Sequence, residues 1–173
     1  NGIDDSKVGI IPAKMKGVGN STTLSEDLVT NEDAYVVLLR LAESVGARLR
    51  ASHETAAMIS TEIKYATFRA VSHQTSLNTP TASTDTIYKT ACQLFDELWD
   101  GTPIRLLGIR SSKLTADSEP VQLSLFDLPL ASTVKNDTLV TEKQKKLDKA
   151  LDTLRGKYGK DIIKRGSLMT PSD

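Results

Sequence analysis

Cysteine, histidine and aromatic residues are scarce in this 173-residue chain, and neither sign of charge dominates it. Its single cysteine, Cys92, cannot form an intramolecular disulfide. With only His53 and His73 beside it, no cysteine and histidine cluster has metal-ligand spacing, so redox and zinc chemistry drop out. Long apolar runs are missing too. None approaches the ~20 residues that a membrane-spanning helix needs. The start also lacks the charged-then-apolar pattern of a secretory signal. A cytoplasmic protein without a membrane partner is the expectation. The chain opens Asn1-Gly2-Ile3-Asp4 with no methionine, which reads as an excised fragment.

What is present is ordinary for a globular protein: 39% hydrophobic and 25% charged residues, in a length that suits one domain with a substantial core. The formal net charge is zero, which by itself argues against a nucleic-acid partner. The distribution argues the other way. The stretches Lys14 to Thr23, Met58 to Leu77 and Pro103 to Thr115 hold seven basic residues (Lys14, Lys16, Lys64, Arg69, Arg105, Arg110, Lys113) and one acid, Glu62. If these are strands, the acids fall on the helices, and a basic sheet backed by acidic helices is a phosphate-facing surface. Solvated charges without a partner would give the same counts.

Hydrophobic periodicity orders the first two thirds of the chain. Ala34, Val37, Leu38, Leu41, Val45 and Leu49 form an apolar stripe that predicts a helix from Asn31 to Arg50, with Thr30 and Asp33 resembling a capping box. A second helix is predicted from about Asp85 to Trp99, capped by Ser83 or Thr84, facing inward with Ile87, Ala91, Leu94 and Leu98, and stopped by Gly101 and Pro103. Between them, Ala57, Ile59, Ile63 and Tyr65 alternate with Ser60, Glu62 and Lys64, the period of a half-buried strand. Phe68 to Leu77 reads as its hairpin partner, ended by Asn78-Thr79-Pro80. Ile104 to Leu114 is a further strand in which Leu107 and Ile109 face the helices and Leu106, Gly108 and Arg110 the opposite side.

With a first strand around Met15 to Thr23, the order is β-α-β-β-α-β. The fold class predicted is α+β: a four-stranded, mostly antiparallel sheet with two helices on one face and the other face open, followed by a C-terminal tail with a further helix. After Leu114 the chain turns polar, then apolar over Val121 to Leu130, then polar again. The tail helix is expected from Thr141, whose Gln144 completes a capping box, to Tyr158, with Gly159 as its cap. Its stripe of Leu147, Ala150, Leu151, Leu154 and Tyr158 is expected to dock on the domain or on a neighbouring chain, because so short a helix is marginal alone in water.

Two groups of residues carry a family resemblance. Gln122-Leu123-Ser124-Leu125-Phe126, between Pro120 and Pro129, offers apolar anchors and a rim amide in an extended peptide. It resembles the Q-L-x-L-F peptide by which bacterial polymerases and repair proteins dock on the ring-shaped sliding clamp. The second group covers more chain: Lys16-Gly17-Val18-Gly19-Asn20-Ser21-Thr22-Thr23, then Phe68 with Ser72-His73-Gln74-Thr75-Ser76-Leu77, then Ile104-Arg105-Leu106-Leu107-Gly108-Ile109-Arg110. In that order they resemble the little-finger domain of bacterial Y-family translesion DNA polymerases, the ImpB/MucB/SamB family.

That resemblance implies a domain organisation and a set of partners. Residues 1–14, with Gly2-Ile3-Asp4-Asp5, would be the tether from the polymerase core, 15–115 the little finger, 116–130 the linker with the clamp-binding peptide, and 131–173 the tail. The family's sheet lies in the DNA major groove and holds both backbones, which implies primer-template duplex DNA and the sliding clamp (its beta subunit) as partners. Carried over by position, the DNA contacts implied are Lys16, Gly19, Asn20, Ser21, Lys64, His73, Gln74, Arg105, Gly108, Arg110 and Ser112. The clamp contacts implied are Gln122, Leu123, Leu125 and Phe126. Gly17 stands where the family usually has Ser, and His73 where it commonly has Arg. The family's magnesium-binding carboxylates lie in the palm and match nothing here, so the resemblance implies no cofactor and no catalysis in this fragment, with magnesium in the parent's catalytic domain. The competing reading is a protein-interaction module of a DNA-repair complex. An RNA-recognition domain is disfavoured, since its stacking aromatics reduce here to Phe68.

Overall fold

The structure is a computed structural model that describes residues 15–117, 134–159, 162–163 and 165–166; residues 1–14, expected as a tether, and the peptide Gln122 to Phe126 lie outside the described residues. Four strands form one sheet: β1 (Gly17–Leu28), β2 (Glu54–Tyr65), β3 (Ala70–Thr81) and β4 (Ile104–Ala116), in the order β1-β4-β2-β3. All three pairings are antiparallel. Helices α1 (Asn31–Ala51) and α2 (Thr84–Leu98) cover one face of the sheet, and α3 (Val134–Tyr158) lies beyond them in the chain. The β-α-β-β-α-β order and the antiparallel sheet agree with the sequence reading.

Alternation along the strands builds the core. Val18, Ile59, Ile63, Tyr65, Leu107 and Ile109 are buried beneath Leu38, Leu41, Val45 and Leu49 of α1 and Ile87, Ala91, Leu94 and Phe95 of α2. Polar groups under the helices are each satisfied by a backbone carbonyl. The Thr61 hydroxyl donates to Ala91 O at 3.2 Å, Ser111 to Val18 O at 2.8 Å, and the Tyr65 hydroxyl to Leu98 O at 3.3 Å. Leaving any of these unpaired would cost about 1–3 kcal/mol.

Local chemistry sets the helix ends. Thr30 caps α1, accepting from the Asp33 N–H at 3.3 Å while its own hydroxyl donates to the Asp33 carboxylate at 2.6 Å. Acids in the first turn and Arg48 and Arg50 in the last complement the helix dipole. Ser83, at the N-cap of α2, makes no side-chain capping bond. The carboxylate of Asp148 on α3 accepts from the Thr84 N–H at 3.2 Å instead, a cap supplied from 64 residues away.

Some boundaries differ from the sequence reading. The hairpin turn takes Phe68 at φ 65, so β3 starts at Ala70. It runs on through Pro80, which a bulge opposite Ala56 and Met58 and an edge position without a ladder partner on one side allow. The largest difference is α3. It begins at Val134 and runs on through Thr141, so Thr141 does not start the helix. Most of the predicted apolar stripe does not dock, since Leu147, Leu154 and Tyr158 are 48%, 38% and 59% exposed, and only Leu151 of it is half-buried. The charged side faces the domain. Arg50 makes a two-pronged pair with Asp152 at 2.6 and 2.9 Å and reaches Asp148 at 3.5 Å. Glu43 binds Arg155 and Arg165, each at 3.0 Å. Gly46 makes room for this network, because a Cβ there would stand 2.9 Å from both Arg50 Nη1 and Thr84 Oγ1.

Candidate nucleic-acid interface

The register assigns every strand residue to a face. Ser60 of β2 sits opposite Arg110 of β4 and Gln74 of β3, and Arg110 in turn sits opposite Gly19 of β1. The neighbouring rows on the same face are Gly17, Ser112, Met58 and Ser76; Ser21, Gly108, Glu62 and Ser72; and Thr23, Leu106, Lys64 and Ala70. The rows between them, such as Ile109 with Thr61, point into the helices. The open face is therefore mainly serines and glycines around Arg110 and Gln74, with one acid, Glu62, in the lining, and it forms a shallow trough of about 760 Å³. Small hydroxyl side chains and bare glycines leave backbone and O–H donors within reach of a flat or anionic ligand.

The open face carries cations, with Glu62 as an acid among them. Among the described residues the cations of the open face, Arg110, Lys64 and Lys113, have no carboxylate partner. Lys113, at φ 54, reaches only Ser76 Oγ at 3.5 Å. Several cations elsewhere are engaged. Arg69 stacks over the Tyr65 ring and pairs with Asp100, whose carboxyl the Thr102 hydroxyl and N–H, and then Arg69, hold down to about 2. Arg48 donates to Gly19 O at 2.8 Å, fastening the outer edge of β1 to α1. An unpaired cation is free to take up a phosphate, whereas a paired one must first give up its carboxylate.

The residues picked out in the sequence divide accordingly. Gly19, Ser21, Lys64, Gln74, Gly108, Arg110 and Ser112 share the open face, and Lys16 is exposed just ahead of β1. Asn20 and His73 do not join them. Both fall in the row of Ile109 and Thr61, on the helix side, and His73 Nδ1 lies 3.0 Å from Glu97 of α2. Arg105 is held by Asp27 at 2.6 Å, beside the irregularity between Leu106 and Ile104. Ser60, Ser72 and Lys113 belong to the face and were missed. Parity with Glu62 and Gln74 marks the two serines, but only the left-handed backbone at Lys113 turns that side chain outward. The glycine at position 17 is explained by the close approach of β4, since a Cβ there would lie 2.6 Å from Ser111 O.

Comparison with known proteins decides the family. The impB/mucB/samB family C-terminal domain matches residues 15–125, which is every strand, both covering helices and most of the Gln122 to Phe126 peptide. The chain belongs to this family. A DNA polymerase IV of Clostridium acetobutylicum is 39% identical over 98% of this impB/mucB/samB chain and 40% of its own length. One from Alkaliphilus oremlandii is 34% identical over 98% of the chain and 42% of its own length. The chain thus spans about two fifths of the relatives it matches. Among solved structures, an insertion ternary complex of Dbh DNA polymerase aligns with 58% of the chain and 29% of its own, at 16% identity and a TM-score of 0.52. At that identity the likeness establishes the impB/mucB/samB chain's fold.

Proposed function

We propose that this chain is the DNA-gripping little finger of a DNA polymerase IV-type translesion enzyme, acting in damage bypass and repair. The observation that carries the reading is the open face, where Arg110, Lys64 and Lys113 stand without carboxylate partners among the described residues, amid serines and glycines. Lys16, Gly19, Ser21, Gln74, Gly108 and Ser112 complete the proposed contact set. Such contacts go to the sugar-phosphate backbone, which positions a duplex without reading its sequence. A polymerase that accepts damaged templates needs that tolerance. Catalysis, with magnesium, is assigned to a catalytic domain of the parent. Among the described residues no group of three or more His, Cys, Asp or Glu could hold a metal ion. A role in the SOS response and a cytoplasmic location belong to the same reading. No helix of the described residues is long and apolar enough to cross a membrane.

The test is duplex binding across a salt series. Non-specific binding near 10⁻⁴ to 10⁻⁶ M, roughly equal for unrelated sequences, is expected. Arg110→Ala should weaken all sequences alike and flatten the salt slope by about one. No binding at low salt would sink the reading and favour the protein-interaction module.

The same proposal makes Gln122, Leu123, Leu125 and Phe126 the anchors for a sliding clamp, supported by the Q-L-x-L-F pattern. Leu125→Ala with Phe126→Ala should abolish clamp binding in calorimetric titration, since the two side chains carry most of the apolar area, and should leave duplex binding nearly unchanged. Equal clamp binding by the double variant would show the pattern to be an accident.

A further inference from the structure

Phe68 occupies the β2–β3 turn at φ 65, a left-handed backbone that only a few per cent of non-glycine residues adopt. Its side chain is 72% exposed and stands outside the hydrophobic core. A turn selected for stability alone takes glycine or asparagine at such a position. The backbone beneath the ring is fixed, because the Phe68 N–H donates to Tyr65 O, the Tyr65 N–H to Arg69 O and the Ala66 N–H to Pro103 O, each at 2.9 Å.

The turn also sorts its side chains by face. Arg69 goes to the Tyr65 ring and Asp100, just past the end of α2. The Phe68 ring lies with Lys64, whose ammonium is 5.1 Å from its centroid, and Lys64 belongs to the open face because it alternates with the buried Ile63 and Tyr65. An exposed ring paired with a cation thus stands at one corner of the serine and glycine trough. Aromatic rings stack on nucleobases of any sequence, and a base inside a duplex has both faces covered by its neighbours. An unpaired base is free to tilt out of the stack and lay a face on a side chain lying along the groove, whereas a paired base, the last pair of a blunt end included, is held across the helix axis.

We propose that Phe68 stacks on an unpaired nucleobase adjoining the duplex, with Lys64 on the phosphate beside it. The proposal rests on the duplex grip of the open face and adds to it a preference for a single-strand junction. The experiment uses the 173-residue chain with two fluorescent probes: a blunt duplex, and the same duplex with a single-stranded overhang carrying 2-aminopurine at the junction. Wild type should bind the overhang more tightly and quench the 2-aminopurine. Phe68→Ala should weaken overhang binding by about 5- to 150-fold, the equivalent of about 1–3 kcal/mol for one stacked base, and leave blunt-duplex binding within about twofold. Phe68→Gly should lose the same preference while its Tm stays equal or rises, since glycine accepts the turn without strain. Unchanged overhang binding in Phe68→Ala, or equal weakening of both substrates, would overturn the stacking role and leave the grip standing. If wild type binds neither substrate, the grip fails and the stacking role with it.

Discussion

The body of the domain and its tail helix are held by opposite means. In the body, apolar stripes on α1 and α2 meet the alternate residues of the sheet, and the charges are left outside. In the tail, Asp148, Asp152 and Arg155 of α3 meet Arg50 and Glu43, while Leu147, Leu154 and Tyr158 stay out. Asp148 is only 2% exposed, so its carboxylate has left water and relies on Arg50, Arg165 and the Thr84 N–H. Apolar burial stabilises without direction, whereas charged groups taken out of water return little net stability and demand one geometry. The body therefore owes its stability to area and the tail owes its register to charge.

The largest expected effect lies in the body. Ile63→Ala removes a fully buried side chain between sheet and helices and should cost about 2–5 kcal/mol in urea unfolding. Leu154→Ala on α3 should stay within about 0.5 kcal/mol. Similar costs at the two sites would mean that the tail packs through its leucines after all.

A smaller effect is expected from breaking the charge lock. Arg50→Ala leaves Asp152 unpaired and Asp148 with Arg165 and the Thr84 N–H, a local cost of about 1–3 kcal/mol. Hydrogen exchange should accelerate throughout 142–158 and stay slow in β2 and β4. Raising ionic strength from about 0.1 M to about 1 M shortens the Debye length from about 10 Å to about 3 Å and should push wild type in the same direction. Unchanged protection of α3 in both experiments would mean that the ion pairs are incidental to its docking.

This contrast explains what could be read from the sequence. Periodicity reports apolar contact, so α1, α2 and the buried rows of β2 and β4 were legible from Leu38, Val45, Ile59, Ile63, Leu107 and Ile109. The same alternation put Arg110 and Gly108 on the open face. What periodicity could not supply was a partner far along the chain or a backbone irregularity. Arg105 is engaged by Asp27, 78 residues away, and Arg50 by Asp152, 102 residues away. No local pattern announces such pairs. Asn20 and His73 were carried over from motif order, against a period of two that places their neighbours Gly19, Ser21 and Gln74 outward. The α3 stripe misled because apolar spacing shows which residues share a side of a helix and says nothing about whether that side is the one that docks.

The smallest expected effect tests whether body and tail are separable, using Cys92 as a reporter inside the body. Burial, and to a lesser degree the Asp96 charge, pushes its thiol up to about 11, against a lowering hydrogen bond with Tyr88. The thiolate is the reactive form, so at pH 8 about one thiol in a thousand is reactive. Because the folded pKa lies above the unfolded value of 9.0, the folded state keeps the proton longer. Stability tied to this group is intact below pH ~9 and declines as pH rises from about 9 to about 11. A thiol reagent at pH 8 should therefore react slowly with native protein and quickly in denaturing urea. Adding salt enough to release α3 should leave the native rate unchanged, since Cys92 sits on α2 against the core rather than in the ion-pair network. A rate that climbs with salt in step with exchange in α3 would show that undocking the tail loosens the helix layer, and the two regions would then be one cooperative unit.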